Sequence, residues 1–93
     1  LTAEQAFDLG IINRVVSRED LLNVAKVMAS KIAQYPRLAV ECAKKAINLA
    51  ERTDLDLGQM YEIDLYAYLY STNDQKEGMS AFLEKRKPNF THS

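Results

Sequence analysis

Of the 93 residues in this chain, only Ile11-Ile12-Asn13-Arg14-Val15-Val16 has the composition of a β-strand. Four of its six positions are β-branched, and turn-forming residues bound it, so the pattern predicts a strand. A strand needs a ladder partner for its N–H and C=O groups, and no second segment offers one. The expected fold class is therefore mainly α, with one short strand near the N-terminus whose partners lie upstream of Leu1. The opening Leu1-Thr2-Ala3-Glu4 has no initiator methionine, basic leader or apolar signal core, which points the same way, to a piece of a longer protein.

The remainder reads as a series of capped helices. Thr2-Ala3-Glu4-Gln5 has capping-box spacing, and the helix it opens is expected to stop at Gly10, which tolerates the left-handed conformation. Ser17 caps a second helix, with acids in its first turn and Leu21, Val24, Ala25, Met28 and Ile32 on one face. Tyr35-Pro36 ends it, because the residue before proline avoids the α region. A third helix is expected from about Arg37 to Arg52, with Ala39, Cys42, Ala43, Ala46, Ile47 and Ala50 on its apolar face. Asp56 or Asp54 caps a fourth, from Leu57 to about Leu69, which is apolar nearly all round and calls for cover on more than one face. Asp74 is expected to cap the fifth with Glu77 in the capping-box position, Met79, Phe82 and Leu83 facing inward, and Pro88 stopping the run.

Composition narrows the function. A net charge of −1 carries no electrostatic footprint for nucleic acid, and no apolar run approaches the ~20 residues that span a bilayer. One cysteine, Cys42, cannot form an internal disulfide and fits a reducing compartment such as the cytoplasm, or the mitochondrial matrix in a eukaryote. On the apolar face of its helix, Cys42 reads as a packed, inert thiol rather than a nucleophile. Glu62, Asp64, Glu77 and Glu84 are not spaced to share the apolar pocket that would separate two carboxyl pKa values, so no catalytic residue is assigned. His92, the lone histidine, has no partner at ligand or triad spacing and reads as disordered tail. The tyrosines Tyr61, Tyr66, Tyr68 and Tyr70 alternate with acids rather than bases, which favours core or interface packing over stacking on nucleobases. The basic run Lys85-Arg86-Lys87 either complements its own helix dipole or meets the phosphates of an anionic ligand.

The block Asp74-Gln75-Lys76-Glu77-Gly78-Met79-Ser80-Ala81-Phe82-Leu83-Glu84-Lys85-Arg86-Lys87-Pro88 closely resembles the C-terminal signature of the enoyl-CoA hydratase/isomerase (crotonase) family, short-chain hydratases in particular. The segment Thr2–Val16, Tyr35-Pro36-Arg37-Leu38-Ala39-Val40 and Lys44-Lys45-Ala46-Ile47 resemble earlier blocks of that family in the same order. The resemblance implies that residues 1–16 end a crotonase core and residues 17–93 form the C-terminal helical, trimerisation-type region of a crotonase-like α/β fold. It implies an acyl-CoA substrate, with coenzyme A as part of that substrate and no separate cofactor. It also implies a homo-oligomer, a trimer or dimer of trimers, and reaction chemistry carried by residues outside this chain. By the same resemblance Lys85 and Phe82 correspond to a lysine and an aromatic that reach the phosphate and adenine end of CoA. Phe82 reads equally well as the apolar anchor of its helix. The block around Asp74 favours hydratase over isomerase chemistry. The competing reading is a stand-alone helical module that binds a partner through exposed apolar faces.

Overall fold

The computed structural model describes all 93 residues and contains five helices and no strand. They are α1 (Ala3–Asp8), α2 (Leu21–Ile32), α3 (Arg37–Ala50), α4 (Leu55–Tyr70) and α5 (Asn73–Leu83). The chain forms two compact units, Leu1–Lys31 and Ile32–Ser93.

In the first unit the capping box forms as expected. The Gln5 amide donates to Thr2 Oγ1 at 3.2 Å, and the Thr2 amide donates to Gln5 Oε1 at 2.8 Å. Helix α1 ends in a Schellman motif: Ile11 N–H bonds the Ala6 carbonyl, Gly10 N–H bonds that of Phe7, and Gly10 sits at φ 73°. The expected strand at Ile11–Val16 is not formed. Its first N–H is taken by the cap of α1, and the chain holds no partner edge, so the segment runs as a bend and an irregular stretch. A cleft of about 190 Å³ separates Asn13, Arg14 and Val16 from Leu21, Val24 and Met28 on α2. Ser17 caps a turn through Asp20, whose amide reaches Ser17 Oγ at 3.1 Å, and α2 starts at Leu21.

In the second unit α4 packs along α3 and meets α5. Of the two aspartates that could cap α4, Asp54 does so, accepting the Leu57 amide at 2.9 Å. Because this bond satisfies an otherwise orphaned donor, Asp54→Ala is expected to cost about 1 kcal/mol, read as a lower urea midpoint. Thr72, not Asp74, caps α5: its Oγ1 accepts the Gln75 amide at 3.2 Å and donates to the Leu69 carbonyl at 2.7 Å. Thr72-Asn73-Asp74-Gln75 repeats the spacing of the Thr2 box, so the signal lay in the sequence.

The core is thin. Cys42, Thr72, Asp74 and Ala81 are the buried residues of the second unit and Ala6 of the first, and no large side chain is fully enclosed. The expected inward placement of Met79, Phe82 and Leu83 is reversed: all three are exposed, and Ala81, at 1% exposure, is the residue α5 turns inward. Ile47 of α3 and most of α4, including Leu55, Met60, Ile63 and Tyr66, also present apolar surface outward. No helix is long and apolar enough to cross a membrane.

Candidate functional site

Helix α5 does not run on to Pro88. It stops at Leu83, and the chain reverses through a second Schellman motif, in which Arg86 N–H bonds the Ala81 carbonyl at 3.0 Å and Lys85 N–H that of Phe82 at 3.3 Å. The geometry matches the end of α1, but the left-handed residue here is Lys85, at φ 52°. A side chain with a Cβ costs about 1 kcal/mol in this conformation, where glycine costs nothing.

An ion pair spans the turn. Arg86 presents its guanidinium fork to Glu77, Nη1 to Oε1 at 2.6 Å and Nη2 to Oε2 at 3.0 Å. Its Nε donates to Glu84 Oε2 at 2.6 Å. Glu77 Oε1 also accepts the Asn89 amide at 2.8 Å. The Arg86 hydrogen bonds, with help from the Asn89 amide, pull the Glu77 carboxyl down from 4.5 to about 2, and the two carboxylates keep Arg86 firmly protonated. On an unbroken helix nine residues span about two and a half turns, so Glu77 and Arg86 would lie on opposite sides. Only the reversal at Lys85 lets them meet, which is why the sequence alone did not reveal the pair.

Beyond the turn, the tail lies back along α5. Thr91 N–H donates to Asp74 Oδ1 at 2.7 Å, Asp74 N–H to the Ser93 main-chain oxygen at 3.0 Å, and the Phe90 ring covers Gly78. His92, expected to be disordered, instead accepts the Arg37 amide on Nδ1 at 3.3 Å, serving the first N–H of α3, where Pro36 offers no side-chain cap. This strap borders an apolar cavity of about 360 Å³ walled by Pro36, Tyr66, Leu69, Met79 and Phe90, with Asp74 at its edge.

The reversal leaves both residues of the expected CoA contact outward. The Phe82 ring is 79% exposed, so within this chain it anchors nothing, and Lys85 stands exposed three residues on, with no ion-pair partner. An exposed aromatic face and an unpaired ammonium suit a ligand with a planar base and a phosphate. Of the basic run, Arg86 is committed to Glu77 and Glu84, whereas Lys85 and Lys87 remain free of ion pairs.

Glu62 and Asp64 are exposed, Glu77 is held by Arg86, and Cys42 is a buried free thiol. No three His, Cys, Asp or Glu side chains converge as a metal site. Tyr66 and Tyr70 meet edge to face, centroids 5.1 Å apart, and the hydroxyl contact with Tyr70 raises the Tyr66 pKa.

Comparison with known proteins sets this site in context. The sequence profile of the enoyl-CoA hydratase/isomerase family matches residues 1–93. A crotonyl-CoA hydratase from Syntrophomonas wolfei is 44% identical over 97% of this chain and 35% of its own length. A short-chain-enoyl-CoA hydratase from Clostridium acetobutylicum is 39% identical over 94% of the chain and 33% of its own length. The solved structure of an enoyl-CoA hydratase subunit I from Geobacillus kaustophilus superposes with a TM-score of 0.95 at 42% identity, over 100% of this chain and 36% of that one. The chain thus spans about a third of the length of the curated relatives it matches.

Proposed function

The chain belongs to the enoyl-CoA hydratase/isomerase family, and from that premise we propose that it is the C-terminal part of an enzyme that hydrates 2-enoyl-CoA thioesters. On this reading residues 1–16 close the catalytic core, and residues 17–93 form the helical region that assembles subunits and borders the CoA site. Residues 82 and 85 supply that border: the Phe82 ring against adenine, the Lys85 ammonium on a CoA phosphate. The likeness to crotonyl-CoA and short-chain enoyl-CoA hydratases along nearly the whole chain carries the reading. The outward apolar side chains of α4 support it too, since they need cover this chain does not provide.

The reaction adds water across the double bond. The water oxygen bonds to the carbon β to the carbonyl as one of its O–H bonds gives up its proton, the π electrons move toward the thioester oxygen, and on their return the α carbon takes up a proton, so that one whole water is added. Preorganised hydrogen-bond donors at that oxygen supply the dominant electrostatic stabilisation; these donors, and the groups that handle the water, belong to the part of the enzyme outside this chain. Phe82 and Lys85 hold the distant end of the substrate, so their contribution falls on substrate binding. CoA enters as part of the substrate, without a separate cofactor, in the cytoplasm or a mitochondrial matrix.

This polypeptide by itself is expected to hydrate crotonyl-CoA no faster than background, whereas the full reading frame that contains it does so. Loss of the enoyl thioester's ultraviolet absorbance measures both. Turnover by the pure chain would overturn the assignment of chemistry to residues outside it. The exposed apolar residues also favour a second reading, a helical interaction module without activity. A start codon close upstream of Leu1 selects that module; a continuous frame encoding a β-rich core selects the enzyme.

A further inference from the structure

The same chain builds one turn twice, with different residues at its difficult position. At the end of α1 the left-handed place is taken by Gly10, which has no Cβ, and no side chain secures the turn. At the end of α5 it is taken by Lys85, and the turn is secured from both sides, Glu77 reaching down from the helix and Arg86 back from beyond the reversal. A lysine in a conformation that favours glycine, held by a bidentate ion pair, marks a position where a side chain is wanted and its direction is controlled.

We propose that Glu77 and Arg86 are positioning residues that act through Lys85: their ion pair holds the left-handed turn that keeps the lysine ammonium set for the nucleotide end of the substrate. The inference rests on the reading of Phe82 and Lys85 as the CoA border. Neither Glu77 nor Arg86 is free to meet the ligand, since Glu77 is bound by Arg86 and the Asn89 amide, and Arg86 by Glu77 and Glu84. The device works by preorganisation. A flexible Lys85 would lose freedom on binding, and the fixed turn removes that loss beforehand.

The test uses the full-length enzyme and two substrates, crotonyl-CoA and crotonyl-pantetheine, which share the thioester but differ in the adenine nucleotide. The readout is the ratio of kcat/KM values for the two. Lys85→Ala is expected to lower that ratio about tenfold, and Arg86→Ala about fivefold, through KM for the CoA ester. In the Lys85→Ala background, Arg86→Ala is expected to add no further loss, because a residue that acts through another has nothing left to position. A general weakening of the fold would lower both substrates together and leave the ratio unchanged. Glu77→Gln keeps an acceptor for the Asn89 amide while removing the charge, and is expected to lower the ratio two- to threefold, which serves should Arg86→Ala fail to fold. If Lys85→Ala lowers the ratio and Arg86→Ala and Glu77→Gln do not, the positioning role is overturned and the CoA border stands. If Lys85→Ala itself leaves the ratio unchanged, the CoA border falls, and the positioning role with it.

Discussion

Replacing Asp74 by alanine is expected to release the C-terminal strap from α5 and cost about 2 kcal/mol of stability. Asp74 is 3% exposed, and its Oδ1 accepts the Thr91 amide at 2.7 Å, with the Thr91 hydroxyl at 3.4 Å. Its position in the first turn of α5 adds the favourable effect of a negative charge at a helix start. Against these stands the other oxygen, Oδ2, which is buried without a hydrogen-bond partner and carries a desolvation cost. The alanine variant loses all three contributions, and the two favourable ones exceed the unfavourable one. Asp74→Asn separates them: it keeps the Oδ1 acceptor and removes the buried charge, so its expected cost is under about 1 kcal/mol. Urea midpoints of the two variants, with hydrogen exchange at the Thr91 amide, read the result. An alanine variant as stable as the parent, with Thr91 still protected, would show that the strap is held by the Ser93 and Phe90 contacts instead.

What the sequence revealed and what it concealed divide along the range of the interactions. Helix starts depend on bonds between residues three apart; the Thr2 box was legible for that reason, and the cap of α4 was narrowed to Asp54 or Asp56, of which the structure uses Asp54. The glycine stop at Gly10 was legible because only glycine takes that conformation freely. The stop at Lys85 was not, since nothing in a lysine announces a positive φ; the ion pair that enforces it joins residues brought together only after the chain has turned. His92 at the start of α3 and Thr91 on Asp74 were hidden likewise, their partners lying 55 and 17 residues away. The inward placement of Phe82 failed for another reason. Periodicity says which residues share a face, and Phe82 and Leu83 do share one, but it does not say whether this chain supplies the cover. The strand at Ile11–Val16 failed on the same ground, its composition being suitable and its partner missing. Phe82 and Lys85 themselves came from family resemblance. What the geometry adds is that both are exposed, with Lys85 free of ion pairs.

Glu77 is expected to remain charged until the pH approaches about 2, far below its ordinary value of 4.5, because the Arg86 fork and the Asn89 amide both stabilise the anion. The sign of the linkage follows: a carboxyl depressed in the folded state lends stability that is complete above about pH 4.5 and is lost as the pH falls toward 2. Across that window, acid should loosen the turn at Lys85. A carbon-detected NMR titration of the Glu77 side chain reads this directly. In Arg86→Ala the midpoint is expected to return to roughly 4, near that of a free glutamate, the Asn89 amide alone holding it slightly lower. The stability difference between parent and Arg86→Ala should accordingly be greatest near neutral pH and vanish by about pH 2. A Glu77 midpoint near 4 in the parent would mean that the fork is open in solution, and the turn at Lys85 would then rest on its backbone hydrogen bonds alone.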